Sequence, residues 1–226
     1  MNQNQKPLEK ALPFYLQIQQ TIKERIWHGE YKPGDRLYEA QLAKQFSISR
    51  SPVREAIRTL INEGLLIMDE KSQITVYKPA LKDVKDIYGC RIALESAAVA
   101  LAAERATESQ IAELEGVLAG TKAAIERNDK EEVVKWNTKF HEQIILICEN
   151  VRLKKLVDEL HSLTYYYRLL NIEGNERGLT ILKGHKEIYT AIRDRDPEKA
   201  AKSLKEHTQE DLKNLIKLIE GKGEKK

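Results

Sequence analysis

The sequence predicts a mostly α chain in two parts. Three short helices closed by a β-hairpin occupy residues 1–79, and six long helices form an antiparallel bundle over residues 80–220. Apolar residues recur at helical spacing in almost every segment, strand-type pattern is confined to residues 65–77, and beyond residue 80 only caps and breakers interrupt the helices. At 226 residues, 41% hydrophobic and 32% charged, the chain has room for one large domain or two modest ones. Its longest uncharged apolar run, around Ile144 to Cys148, is far short of the ~20 residues a bilayer span needs, which excludes a membrane protein. The polar stretch Met1 to Lys10 is followed by no apolar segment of signal-peptide type, and two cysteines, Cys90 and Cys148, do not make a disulfide framework. A cytoplasmic protein is expected.

In the first part, Tyr15, Ile18, Ile22 and Ile26 share one face of a helix from Phe14 to Trp27 that Gly29 stops. A Pro33-Gly34 turn follows, then a short helix from Glu39 to Phe46 presenting Leu42, Ala43 and Phe46 to the core. A third helix is expected to open at Ser51, with Ser51 as N-cap and Pro52 at the first helical position, where its missing N–H costs nothing. Val53, Ala56, Ile57, Leu60 and Ile61 form its apolar stripe and Gly64 ends it. Leu65 to Met68 and Ile74 to Tyr77 are the two strands of the hairpin. In the second part, helices are expected near 81–105, 107–127, 129–148, 151–171, 176–194 and 197–219, separated at Thr107, Asp129, Asn150, Gly174 and Pro197. Short connections make an antiparallel bundle the expected architecture. Residues 221–226 are expected to be a disordered tail.

The net charge of +3 is unevenly placed. Residues 1–80 carry 12 Lys/Arg against 9 Asp/Glu, whereas residues 81–226 carry 26 of each. The whole excess is N-terminal, where an anionic partner such as nucleic acid would be bound. Leu42 to Leu65 has the layout of a helix-turn-helix, whose second helix enters the major groove. Arg50, Arg54 and Arg58 recur every four residues, forming a cationic stripe beside the apolar one. Arginines near the start of such a helix reach guanine O6/N7 or clamp phosphates; Ser49 and Ser51 donate to phosphate oxygens, and Lys71 and Gln73 at the hairpin tip meet the flanking backbone or minor groove.

The run Gly34-Asp35-Arg36-Leu37, Glu39-Ala40-Gln41-Leu42-Ala43, Ser49-Arg50-Ser51-Pro52-Val53-Arg54-Glu55-Ala56-Ile57-Arg58 and Leu60-Ile61-Asn62-Glu63-Gly64-Leu65 resembles the winged-helix signature of GntR-family bacterial transcription regulators. The resemblance implies operator contacts by Arg50 and Arg54, with Ser51 beside them and the wing adding minor-groove contacts. The wing departs from the family pattern, with Lys71-Ser72-Gln73 where a glycine usually precedes the second strand.

Three histidines lie on apolar helix faces in the bundle. His141 is accompanied at helical spacing by Val134, Asn137, Ile144, Ile145 and Cys148; His185 by Ile181, Leu182, Ile188, Tyr189 and Ile192; His207 by Ala200 and Leu204. An inward imidazole left unpaired costs about 1–3 kcal/mol, and convergence on a shared ligand is one way to offset that cost; a single hydrogen bond within the core is another. Neutral imidazoles suit Zn, Ni, Fe or Cu. The bundle resembles the FadR C-terminal domain (FCD) class of GntR regulators, in its smaller six-helix subgroup. By that resemblance Asn137, His141, His185 and His207 hold a divalent transition metal, Asn137 standing where the class most often has aspartate. The amide brings no charge, so the ion would keep its full positive charge toward a carboxylate effector. Alternatively, the imidazoles hold an acidic effector directly. Ile87-Tyr88-Gly89-Cys90-Arg91-Ile92-Ala93-Leu94-Glu95 resembles the opening helix of the same class. Arg91 either pairs with Glu95 for structure or points into an effector pocket, and Arg168, beside Tyr165-Tyr166-Tyr167, either clamps an effector carboxylate or serves a surface.

These readings converge on a non-enzymatic, ligand-responsive repressor. It would be a homodimer on double-stranded operator DNA, because one winged helix covers one half-site, and its effector a small carboxylate bound through a metal. The alternatives are a direct metal sensor and a mononuclear metallohydrolase on the same three histidines. Glu-x-x-His pairs, His-Glu-x-x-His, Gly-x-Ser-x-Gly and a phosphate-binding glycine loop are all missing from the sequence.

Overall fold

The computed structural model describes residues 12–173 and 176–223. The chain forms two compact units that meet between Lys78 and Pro79. The expected breaker Gly174 and residues 224–226 of the expected tail lie outside the described residues.

The first unit contains α1 (Phe14–Trp27), β1 (Arg36–Leu37), α2 (Glu39–Gln45), α3 (Arg50–Asn62), β2 (Leu66–Met68) and β3 (Ile74–Val76). Ile18, Ile22 and Ile26 of α1 meet the stripe Val53, Ala56, Ile57 and Leu60 of α3, all buried. Between α2 and α3 the backbone turns sharply at Ser47, whose φ is 54°. The two-residue strand β1 has no counterpart in the sequence reading, since two residues show no alternation. Its pairing with β3, Arg36 opposite Thr75 and Leu37 opposite Ile74, gives an antiparallel sheet of order β1-β3-β2. Helix α3 begins two residues earlier than expected. Ser49 has extended backbone (φ −67°, ψ 161°) and occupies the cap position, while Arg50 is already helical. Ser51 is therefore not the cap. Pro52 is the third helical residue and not the first, though its absent N–H still falls in the first turn and leaves no helical bond unmade.

The wing turn solves its missing glycine locally. Ser72 takes a positive φ of 58°, and the Asp69 carboxylate accepts from the backbone N–H of Lys71 (2.9 Å) and of Gln73 (2.8 Å). Asp side chains bond the backbone two residues on in this way, which holds a tight turn without glycine.

The second unit contains α4 (Leu81–Arg105), α5 (Glu108–Glu126), α6 (Lys130–Ile147), α7 (Val151–Asn171), α8 (Arg177–Arg193) and α9 (Pro197–Gly223). Three of the expected start signals act as side-chain caps. Thr107 forms a capping box with Gln110, and Asp129 and Asn150 accept from the backbone N–H of Glu132 and Leu153. At α9 the cap is Asp196, which accepts from Lys199 N at 2.9 Å, with Pro197 behind it in the first turn. Helix α9 continues to Gly223, past the expected end at residue 219 and into the segment read as a tail. It packs along α4 and α8, and α5 packs on α6 and α8. The core joining them includes Ala98, Val99, Leu114, Phe140, Ile144, Ile188 and Leu204. Both cysteines are free thiols, Cys90 exposed and Cys148 buried. Among the described residues no helix is long and apolar enough to cross a membrane.

Thr107→Ala removes the half of the capping box at α5 in which Thr107 Oγ1 accepts from Gln110 N, and leaves the backbone N–H of residue 107 bonded to Gln110 Oε1. Chemical denaturation followed by circular dichroism is expected to show the bundle transition destabilised by about 1 kcal/mol.

Candidate functional site

On the first unit the cationic stripe of α3 is exposed. Arg50, Ser51, Arg54 and Arg58 line one shallow groove together with Glu55. Arg50 also lines a second groove with Arg36, Tyr38 and Glu39 and with the wing residues Ser72 and Gln73. Ser49 is exposed at the helix start, and Lys71 at the wing tip. Arg54 is held from α2, its Nε and Nη2 bonded to the Glu39 carboxylate at 3.1–3.3 Å. The helix start, β1 and the wing tip thus share one face carrying Arg36, Arg50, Arg54 and Arg58. Arg36 and Tyr38 were missed by sequence reasoning, because only the pairing of β1 with β3 brings them beside the wing.

In the second unit α6, α8 and α9 bring His141, His185 and His207 together, with ring centroids 4.8 to 5.6 Å apart. One potential ligand atom from each lies within 4.8 Å of the others. All three are buried, at 4%, 0% and 7% exposure. Asn137, one helical turn before His141, is buried as well, and its Oδ1 has no hydrogen-bond partner among the described residues. The same holds for both ring nitrogens of His185, for both of His141, whose Nδ1 approaches Glu95 Oε2 at 2.8 Å, and for Nε2 of His207. The latter stands 3.9 Å from Asp211 Oδ2, an ion-pair approach rather than a hydrogen bond. Burial, aided by Arg168, lowers the pKa of His141 to about 4. Burial depresses His185 well below its ordinary value, with His207 adding to the effect, and lowers His207. All three are neutral at pH 7 and each carries a lone pair.

Beside the histidines lies a cavity of ≈ 200 Å³ between α4, α6 and α7, lined by Arg91, Glu95, His141, His161 and Arg168 among others. Arg91 and Arg168, both buried, face it. Arg91 donates through Nε to Glu95 Oε1 at 2.8 Å, while its Nη1 and Nη2 and the Nε of Arg168 find no partner among the described residues. Burial disfavours a charge at Glu95, yet Arg91 and His141 hold its carboxyl well below the usual range. Burial, reinforced by Arg91, lowers Arg168 to about 10, so it stays a cation at pH 7. At the cavity mouth His161 of α7 pairs with Glu142 of α6 at 2.9 Å. The open alternatives for Arg91 prove compatible: it forms the ion pair with Glu95 and also lines the cavity. Arg168 is a buried wall residue, not a surface one.

Three further residues complete the surroundings. Asp211 is buried and bonded to Arg177, one turn beyond His207. The His207-x-x-x-Asp211 spacing was visible in the sequence, whereas nothing there pointed to Arg177. Gly184 is the third. A Cβ on it would lie 2.5 Å from His207 Nδ1, so only glycine lets α8 pass this close to the imidazole.

Gly184→Ala is accordingly expected to drive the His207 ring out of the cluster. A crystal structure of the variant, or a shifted His207 ring resonance in NMR spectra, checks this; an unmoved ring would contradict it.

Residues 14–76 match the bacterial regulatory proteins of the gntR family, and residues 86–210 match the FCD domain. The HTH-type transcriptional regulator YdhC of Bacillus subtilis (strain 168) is 37% identical over 214 residues, covering 94% of this chain and 96% of that one. The HTH-type transcriptional repressor RspR of Escherichia coli (strain K12) is 27% identical, over 90% of this chain and 89% of its own. The solved structure of E. coli McbR/YncC matches with a TM-score of 0.77 and 26% identity, covering 92% of this chain and 99% of that one. With an exposed arginine stripe on a winged helix in its first unit and an FCD bundle in its second, the chain belongs to the GntR family of bacterial regulatory proteins and is a DNA-binding transcriptional regulator rather than an enzyme.

Proposed function

We propose that this regulator is a homodimeric repressor whose bundle senses a small carboxylate through a bound divalent transition metal. The observation that carries the reading is the convergence of three buried, neutral imidazoles beside a cavity walled by guanidinium donors that lack partners. A buried polar atom without a partner costs about 1–3 kcal/mol, and this bundle has several within one cluster. A transition metal would satisfy the imidazoles, and three histidine ligands leave positions open for a small molecule. His141, His185 and His207 would hold the ion, with the Asn137 amide oxygen next to them. Such an ion supplies a fixed positive charge that attracts an anion. Arg91 and Arg168 then orient that anion, since planar guanidinium groups bind carboxylates in a bidentate manner. The cavity is smaller than the ~300–1,000 Å³ of drug-sized ligand sites, which favours an acid of few heavy atoms.

The anion at Arg168 explains why the effector reading is preferred over a direct metal sensor. An ion alone would leave those guanidinium hydrogens unsatisfied. Effector binding changes operator affinity to the extent that it favours one arrangement of the dimer over another. On the DNA side, Arg50 and Arg54 read bases, Ser49, Ser51 and Arg58 engage the backbone, and Lys71 and Gln73 of the wing meet the flanking groove. RspR bears the word repressor in its name, which favours repression here.

Two measurements test this reading. In a mobility-shift assay on the chain's own promoter, Arg50→Ala is expected to weaken specific binding by about 1–3 kcal/mol, roughly 10- to 100-fold, with a much smaller loss on random DNA; equal losses on both would remove Arg50 from base reading. Metal analysis of purified protein is expected to find close to one transition-metal ion per chain, lost when His141, His185 and His207 are replaced together by alanine. Unchanged metal content in that variant would refute the site, and an operator response to chelator with no response to any carboxylate would favour the direct sensor.

A further inference from the structure

Glu95 is the residue shared by the cavity and the histidine cluster. Its Oε1 accepts from Arg91 Nε at 2.8 Å, and its Oε2 lies 2.8 Å from His141 Nδ1. Arg91, Glu95 and His141 are all buried. A carboxylate can only accept, and two lone pairs 2.8 Å apart repel, so this close approach, an ion-pair contact and not an aligned hydrogen bond, favours the His141 proton on Nδ1. The lone pair is then on Nε2, the ring nitrogen that does not face Glu95. Among the described residues, neither of the other two imidazoles has a carboxylate at hydrogen-bond distance, the approach of Asp211 to His207 being 3.9 Å.

We propose that Glu95 is a positioning residue that locks His141 in the Nδ1–H tautomer, so that Nε2 is the nitrogen offered to a divalent metal, and that it ties this choice to Arg91 at the cavity wall. The inference rests on the metal-binding reading above. A carboxylate behind a histidine ligand sets the ring's tautomer and orientation and raises its basicity, and losing such a partner typically weakens metal binding about 10- to 100-fold. The pairing with Arg91 makes a sharper statement possible. In Glu95→Gln the amide must offer its oxygen to Arg91, which can only donate, and therefore turns its NH2 toward His141. His141 Nδ1 becomes an acceptor, the proton moves to Nε2, and the ligand lone pair is lost. Replacing Arg91 as well, in Glu95→Gln/Arg91→Met, removes the donor that fixed the amide. The carbonyl is then free to face His141 and restore the first tautomer.

The test uses full-length protein with 15N-labelled histidine. Long-range 1H–15N correlation spectra of the metal-free protein at pH 7 report the tautomer, and titration with Co²⁺ followed by its visible absorption reports affinity. The wild type is expected to carry the His141 proton on Nδ1. Glu95→Gln is expected to carry it on Nε2 and to bind Co²⁺ about 10- to 100-fold more weakly, and the double variant to return to Nδ1–H and recover most of the affinity. A merely structural role would not produce that recovery. The proposal is overturned if the wild type has the proton on Nε2, if Glu95→Gln keeps both tautomer and affinity, or if the double variant is as impaired as the single one. Should Glu95→Gln not fold, the wild-type tautomer still decides. A wild type that takes up no Co²⁺ overturns the metal reading, while the tautomers of the metal-free proteins continue to judge the role of Glu95.

Discussion

Arg91 lies in the bundle interior with 1% of its surface exposed, and the arrangement around it follows from the cost of keeping a cation there. Burial works against its charge, yet the adjacent Glu95, with Tyr88, holds its pKa above the ordinary value. Glu95 in turn is shared with His141, and Arg168 stands nearby as a second buried cation. A buried ion pair recovers its desolvation penalty only if its remaining hydrogen-bonding groups are satisfied. Here the two Nη groups of Arg91 and the Nε of Arg168 are not satisfied within the described residues. The interior therefore holds an unmet demand for an acceptor, which is the ground for the effector site proposed above.

The same logic operates at the histidines with opposite polarity. Three imidazoles forced neutral by burial present lone pairs, so they ask for a cation, while the guanidinium groups a short distance away ask for an anion. The metal and carboxylate proposed above would answer these two opposite demands. Packing serves this arrangement closely. Gly184 leaves room for the His207 ring, and Phe140 stacks on His185 with ring centroids 4.1 Å apart. The reading head depends on a different constraint. Arg54 is exposed, and the Glu39 carboxylate restrains it without burying it.

Much of the fold was legible in the sequence because local rules govern it. Thr107, Asp129 and Asn150 cap their helices since each must satisfy backbone N–H groups that no helical carbonyl can reach, and this need depends on nearby residues alone. The differences fall where the outcome depends on residues far away in the chain, as at β1, or on a local backbone conformation that residue identity does not reveal, as at Ser49 and in the wing turn. Strand β1 exists only through its bonds to β3, and α3 begins at Arg50 because the backbone at Ser49, not the identity of Ser51, sets the start. The wing kept its shape without glycine because Asp69 supplied acceptors, a substitution visible only when the turn is seen.

For the candidate site the division is similar. Sequence by itself determined the two-part layout, the cationic stripe of Arg50, Arg54 and Arg58, and the inward faces of His141, His185 and His207, since helical periodicity places side chains on faces. Only the tertiary structure decided that the three histidines meet, that Glu95 stands between Arg91 and His141, that Arg168 is a wall of the cavity, and that Asp211 and Arg177 back His207. Periodicity describes one helix at a time, whereas convergence depends on how α4, α6, α7, α8 and α9 pack, and that is set by the joint shape of a core drawn from all of them.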